Sequence, residues 1–390
     1  MTPVPDRLLF FSQRFPPSVG GTPTVLKNLV SQLSTDQAAV VSMEEPDHRG
    51  TWRPEMPQAR LKRPNKIIRK VDKRFFSLIP RFAFAGSRLV PRGDTKAVIG
   101  VFPYPAFALA AWFLARWRRA PFCLYMMDMW EDNAPAKGLE RWFAKRYEPR
   151  IFATAHRIFC ISESLSGHLR RKYPAQAGKI ITLPHPMGLE TDCLPEKKTS
   201  GRWKRPGEFL IVYTGQVYGC TADPIQTLVK GLDALADLNP RLIISTPDSE
   251  EALHRFGLLP HPRVSRVFLD SQDDVFDLQC EADLLFNPVS FTYPGRLQVE
   301  TIFPTKTFEY LKTGKPMLVC GPEHAGFVQF ARKKGIGTVL SSDDPEQLLH
   351  TIRRIAAGMD MSAQQTAGLK LLKDYSPQAI LDILFREVSH

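Results

Sequence analysis

Lys306 and Glu309, a cation and a carboxylate three residues apart, lie in the segment Phe303-Pro-Thr-Lys-Thr-Phe-Glu-Tyr-Leu-Lys-Thr-Gly-Lys-Pro316. Pro304 with the hydroxyls of Thr305 and Thr307 marks a helix start, since proline is tolerated in a first turn and threonine can cap N–H groups. Gly314, followed by Pro316, marks its end. The spacing predicts a helix of roughly two turns with Lys306 in the first. A helix start presents N–H groups and partial positive charge, and Lys306 adds a full charge, so the place suits a phosphate. Glu309, one turn on, is placed to accept hydrogen bonds from sugar hydroxyls. An ordinary surface helix with a Lys–Glu pair would use the same two residues.

Other residues of this kind stand where strands end. Arg7-Leu-Leu-Phe-Phe-Ser12 is a buried-strand run, and the Pro- and Gly-rich loop from Gln13 to Gly21 follows it. Gly20-Gly21 opens a helix whose apolar stripe is Val25, Leu26, Leu29, Val30 and Leu33. The glycines let a ligand approach backbone N–H groups, although a tight turn needs the same residues. The loop has neither G-x-G-x-x-G nor G-K-[ST], so it is no dinucleotide fingerprint and no P-loop. Asp128 follows the strand Phe122 to Met127, and His185 follows Lys179 to Leu183; ligands of parallel sheets collect at such carboxyl ends.

These residues need a frame of alternating strands and helices. Strands are predicted at 38–42, 98–102 and 157–161 in the first half, with helices at 106–116, 139–152 and 162–172. Leu189 to Glu208 breaks the rhythm with Gly, Pro and charge and reads as a linker. A second series then opens with the strand Phe209 to Tyr213, the glycine loop Thr214-Gly-Gln-Val-Tyr-Gly219 and a helix from Pro224 to Ala236. Strands at 241–245, 264–269, 284–286 and 317–320 follow, then helices at 348–355 and 379–388. The pattern is α/β: two doubly wound domains, at 1–188 and 209–375, with a final helix in 376–390.

With 390 residues, two domains are the natural expectation. The six cysteines are scattered without a C-x-x-C pair, which excludes a disulfide framework and suits a reducing compartment. The N-terminus lacks the apolar run of a signal peptide. Ala97 to Ala115 carries no charge over 19 residues, yet Gly100, Pro103 and Pro105 split it into a strand, a turn and a buried helix. The net charge of +12 is uneven: eight Lys/Arg and only Asp72 fall between Arg60 and Arg74. Lys66 to Ile79 reads as a basic amphipathic helix for an anionic membrane surface, or one packed on its own domain with a solvated basic face. Nucleic-acid-binding motifs are lacking, so no nucleic acid is expected as a partner.

The ordered set of motifs resembles the group 1 glycosyltransferases (glycosyltransferase family 4). Phe15-Pro-Pro-Ser-Val-Gly-Gly-Thr resembles their opening loop, Asp128-Met-Trp130 their Asp-Leu-Trp, and Ile211-Val-Tyr-Thr-Gly-Gln216 the first strand and loop of their donor domain. The segment from Phe303 to Pro316 resembles their Pro-Ser-Lys-x-x-Glu-Tyr-Leu-x-x-Gly-Lys-Pro. The resemblance implies a GT-B fold: an acceptor domain, a nucleotide-sugar domain, a cleft between them, and a last helix crossing back onto the first domain. It implies transfer with retention from a nucleotide-sugar co-substrate, leaning to UDP, without a metal or other cofactor. The acceptor would be a glycan or a lipid-linked acceptor on the cytoplasmic side, with the enzyme peripheral on the membrane's inner face.

Carried onto this chain, Gly21, Asp128, Lys306 and Glu309 would be catalytic. Gly20, Gly21, Gly215, Thr305 and Lys306 would hold the donor phosphates, Glu309 the ribose, and Phe268 and Leu269 the base. Two departures stand out. Thr301 stands where the first of a pair of glutamates separated by seven residues would fall, the second being Glu309, with Glu300 beside it, and the Gly-Arg…Lys cations after the donor-domain strand are missing, with Arg296 as the candidate substitute. A nucleotide-sugar 2-epimerase of the same fold, or an inactive scaffold binding membranes, are the alternatives.

Overall fold

A computed structural model describes residues 7–18, 20–44, 52, 55–64, 72, 75–133, 138–186 and 201–389. The chain divides into two compact units, Met1–Pro186 with Tyr375–His390, and Met187–Asp374.

The first unit is built on a seven-stranded sheet in the order β3-β2-β1-β4-β5-β6-β7. Its strands are β1 Arg7–Phe11, β2 Ala38–Met43, β3 Gln58–Leu61, β4 Thr95–Phe102, β5 Phe122–Met126, β6 Arg157–Cys160 and β7 Ile180–Thr182. All pairings are parallel. Leu8 to Phe11 are buried because β1 is central and covered on both faces, which is why it reads as an unbroken apolar run. The helices are α1 Gly21–Val30, α2 Ile79–Leu89, α3 Pro105–Arg118, α4 Gly138–Thr154 and α5 Glu163–Lys172. α3 lies directly on β4: a Cβ on Gly100 would come within 2.9 Å of the Ala108 Cα, so two small residues set the approach. The uncharged stretch 97–115 is thus strand plus buried helix, and among the described residues no helix is long and apolar enough to cross a membrane.

The second unit holds a six-stranded parallel sheet, β10-β9-β8-β11-β12-β13. Its strands are β8 Phe209–Thr214, β9 Pro240–Ser245, β10 Val264–Val267, β11 Leu284–Pro288, β12 Met317–Cys320 and β13 Thr338–Leu340. Its helices are α6 Ala222–Gly231, α7 Glu250–Arg255, α8 Gln272–Glu281, α9 Arg296–Thr301, α10 Lys306–Thr313, α11 Gly326–Lys334, α12 Pro345–Ala356 and α13 Ser362–Asp374. The core on one side of this sheet packs Ile211, Tyr213, Ile244 and Phe286 against Ile225, Leu228 and Ile352. The last helix, α14 Pro377–Ser389, belongs to the first unit. It packs on α1, buries Ile380, Leu381, Leu384 and Val388, and sets Glu387 3.1 Å from Arg157.

The structure corrects several expected elements. Residues 65–71, 73 and 74, most of the basic helix expected over Lys66 to Ile79, lie outside the described residues. Its end is not helical in that frame: Phe75 has φ 60°, and Phe76–Leu78 form a 3-10 turn whose Ser77 N–H and hydroxyl donate to Asp72. The helix begins at Ile79, because Pro80 fits only a first turn. β3 stands where no strand is predicted; it is a short, half-buried edge strand with no apolar alternation, ordered by pairing with β2. β13 and α13 were likewise unread, being respectively a three-residue strand and a helix that buries only Gly368, Leu371 and Leu372. Of the stretch read as linker, 189–200 lies outside the described residues, while the N–H groups of Arg202, Trp203 and Lys204 donate to Glu281 at the end of α8.

Candidate functional site

In the second unit, the end of β8 and the start of α10 meet through Tyr310. Its buried hydroxyl accepts the Thr214 N–H at 2.9 Å, and the Thr214 hydroxyl lies 3.3 Å from it. Gln279 of α8 donates to the same Thr214 hydroxyl at 3.2 Å. The loop that follows is fastened at each step. The Gly215 N–H donates to Ser245 at 2.8 Å, the Tyr213 hydroxyl to the Gln216 carbonyl at 2.6 Å, and the Val217 N–H to Asp248 at 2.7 Å. Gly215 has φ +113°, a conformation that side chains other than glycine rarely adopt.

Lys306 enters this loop from below. Its ammonium lies 3.5 Å from the Tyr213 ring centroid and 3.7 Å from where a Gly215 Cβ would stand. A cation on an aromatic face is stabilised by the ring quadrupole. Burial nonetheless pushes the Lys306 pKa well below the usual lysine value, opposed by the charge of Glu309. Burial thus disfavours the charged ammonium, and an incoming anion would favour it. Glu309 lies half-buried one turn on. The N–H groups of Thr305 and Lys306 fall at the helix start, where intrahelical partners are lacking.

The expected threonine cap is corrected. Thr305 is in helical conformation with no side-chain cap, and the Thr307 hydroxyl donates to the Pro304 carbonyl at 2.7 Å. It also accepts from Asn287 of β11 at 2.9 Å, tying the helix start to the sheet. Phe268 and Leu269 follow β10 rather than extending it, half-buried in the loop beside the strand end. Thr301 is buried and donates to the Leu297 carbonyl at 2.9 Å. Arg296, the candidate substitute cation, pairs with Glu300 at 2.9 Å on α9.

In the first unit, Gly20 is the N-cap of α1 at φ +136°, and its carbonyl accepts both the N–H and the hydroxyl of Thr24. Gly21, the first helical residue, is exposed. Asp128, two residues past β5, accepts the Met129 N–H at 2.8 Å and the Asn133 amide at 3.2 Å. That loop is braced by a charge cluster that sequence reasoning missed. Lys172 lies 3.0 Å from Glu131, 2.8 Å from Asp132 and 2.9 Å from the buried Glu148, which also receives the Glu131 N–H at 2.9 Å. The His168 ring nitrogen, 2.9 Å from Asp132, together with Lys172 holds the Asp132 pKa down at about 2. His185 is buried and 3.2 Å from the Asn28 amide of α1, a position that braces the helix behind Gly20-Gly21.

Residues 20–186 match the model of the glycosyl transferase 4-like domain. The matched residues lie within the first unit. The matched region agrees with the resemblance to group 1 glycosyltransferases. No curated protein matches the chain. Solved structures match across both units. Anabaena HepE in complex with UDP and glucose has a TM-score of 0.66 at 13% identity, over 98% of this chain and 99% of that one. Sucrose-phosphate synthase from Thermosynechococcus elongatus has 0.67 at 16%, over 98% and 99%. Trehalose-6-phosphate synthase OtsA has 0.68 at 10%, over 99% of each. At such identities the likeness concerns the fold, and it is that of two-domain GT-B proteins. Gly20, Gly21 and Asp128 lie in the matched region, while Gly215, Phe268, Leu269, Thr305, Lys306 and Glu309 belong to the second unit.

Proposed function

We propose that the chain is a retaining glycosyltransferase that moves a sugar from a UDP-sugar to a glycan or lipid-linked acceptor in polysaccharide or glycoconjugate synthesis. The observation that carries it is the Lys306 ammonium, seated on Tyr213 beside Gly215 at the start of α10. As the bond from the sugar's anomeric carbon to the diphosphate breaks, its electron pair leaves on the diphosphate oxygen. Lys306 and the helix-start N–H groups stabilise that charge, which removes the need for a bound metal or other cofactor. The acceptor hydroxyl bonds to the anomeric carbon on the face the leaving group vacates and passes its proton to the departing diphosphate oxygen, so configuration is retained.

Glu309 accepts hydrogen bonds from the ribose hydroxyls, and Phe268 and Leu269 flank the base. Gly20 and Gly21 leave their N–H groups open to donor phosphate, and Asp128 works on the acceptor side. Support for UDP comes from HepE, whose structures are described as complexes with UDP and with UDP-glucose. The enzyme works in the cytoplasm, peripheral to the membrane's inner face.

A thermal-shift screen of nucleoside diphosphates tests the reading, since a ligand of the folded state raises its melting temperature by mass action. UDP is expected to raise it more than uridine does. No shift with any nucleoside diphosphate would refute the donor site. Thr301, in place of a carboxylate, keeps an inactive scaffold in view; UDP binding without turnover of any UDP-sugar would favour that second reading.

A further inference from the structure

Five of the six large hydrophobic side chains exposed among the described residues lie on three helices of the first unit, α2, α3 and α4. Trp117 is 70% exposed, Phe84 59%, Trp142 55% and Phe113 42%. They are not scattered singly. Phe113 stands one turn before Trp117 on α3 and lies 6.5 Å from the Tyr147 ring of α4. Tyr147 stacks at 5.6 Å on Phe143, which meets Trp142 edge-on at 5.2 Å. Rings from two helices thus form one continuous band, and Phe84 of α2, with the Arg88 guanidinium 5.0 Å over it, is a further exposed ring on the helix packed beside α3.

The charges among these rings are of one sign. α2 and α3 contain no acidic residue, and the two on α4 are Glu140, half-buried, and Glu148, buried against Lys172. The exposed positions beside the rings are instead Arg116, Arg119, Arg141, Lys145 and Arg146. An exposed aromatic surface of this kind marks an interaction site. Tryptophan and tyrosine settle at the headgroup boundary of a bilayer, where the ring meets acyl chains, and neighbouring guanidinium and ammonium groups reach lipid phosphates. Basic residues close to an anionic membrane add to binding one by one.

We propose that this aromatic and basic face of α2, α3 and α4 docks on an anionic phospholipid surface. Phe143 of this band also stacks at 4.0 Å on Phe76, before α2; no residue of the donor reading is part of the surface, so the proposal stands whether or not that reading holds. Sedimentation of the full chain with vesicles of phosphatidylcholine alone, and of phosphatidylcholine mixed with phosphatidylglycerol, tests it. The chain is expected to sediment with the mixed vesicles, much less with the neutral ones, and less as salt rises. Trp117→Ser with Trp142→Ser, and separately Lys145→Glu with Arg146→Glu, are each expected to lower the partition at least about tenfold, at roughly fivefold per charge removed. Every substituted side chain is exposed, and an unchanged melting temperature certifies each variant. Quenching of tryptophan fluorescence by brominated lipid should be strong in the unaltered chain and weak in the tryptophan variant.

No binding to the mixed vesicles, or equal binding by all variants, overturns the proposal. Loss of binding only on reversing Lys66, Arg69 and Lys70 assigns the surface to that segment instead. Self-association that the face variants abolish, without vesicle binding, makes the face a contact between copies and equally ends the lipid assignment.

Discussion

The Tyr310 hydroxyl, one residue after Glu309, accepts the Thr214 N–H at 2.9 Å, one residue before Gly215. One buried bond thereby couples the helix that carries both candidate donor-binding charges to the loop above Lys306. Tyr310→Phe leaves the Thr214 N–H unsatisfied in the interior. The expected cost is about 1–3 kcal/mol of stability by urea unfolding. UDP binding should weaken as well, because the loop is no longer held over Lys306; a variant with unchanged stability and unchanged UDP affinity would disprove the coupling.

Lys306→Ala is expected to weaken UDP by about 1.5–3 kcal/mol, the range for hydrogen bonds to charged groups, while uridine binding changes little. Equal losses for the two ligands would argue against phosphate recognition. The depressed Lys306 pKa adds a pH signature. A diphosphate favours the protonated amine, so UDP binding raises this pKa. Between the free and bound values, binding takes up a proton, and affinity falls as pH rises through the bound value. Calorimetry in buffers of different ionisation enthalpy reads that uptake, and it should vanish in Lys306→Ala.

On the proposed reading, Glu309 accepts hydrogen bonds from the ribose. Glu309→Ala should lower kcat/KM by about 2–3 kcal/mol while leaving the melting temperature within a degree or two. Turnover near that of the unaltered chain would remove Glu309 from the site.

The cluster around Lys172 is predicted to matter for stability and for the Asp128 loop. Lys172→Met strands the buried Glu148 carboxylate, at a cost of about 3–5 kcal/mol. Adding Glu148→Gln should recover part of it, and failure to do so in a double-mutant cycle would separate the two residues. The Asp132 carboxyl is held at about 2 against its ordinary 3.8. Its folded pKa is depressed, so its contribution is full above 3.8 and is lost as pH falls toward 2. Asp132→Asn should flatten that limb of the acid-unfolding curve, and an unaltered limb would exclude the pairing.

Much of the architecture was legible in the sequence because central strands of a parallel sheet are buried on both faces. Leu8 to Phe11, Val98 to Phe102 and Leu210 to Tyr213 announce themselves as apolar runs. Edge elements escaped for the opposite reason: Gln58 to Leu61 and Thr338 to Leu340 are half-buried and take their order from a neighbouring strand. The end of the expected basic helix was misread because Lys and Arg between apolar residues satisfy a helical period. Pro80 was the local signal that the helix starts later.

The site divides in the same way. Residue type and spacing alone determined that Lys306 and Glu309 share a short helix, since a turn of helix is a local property. Only the tertiary structure decided what surrounds them. Tyr213 lies under the Lys306 ammonium, Tyr310 holds Thr214, Asn287 holds Thr307, and Thr301 turns its hydroxyl back into its own helix. Those partners stand up to 96 residues apart in the chain, where no local pattern links them. They are brought together by the parallel pairing of strands, which delivers distant loops to the same edge of one sheet.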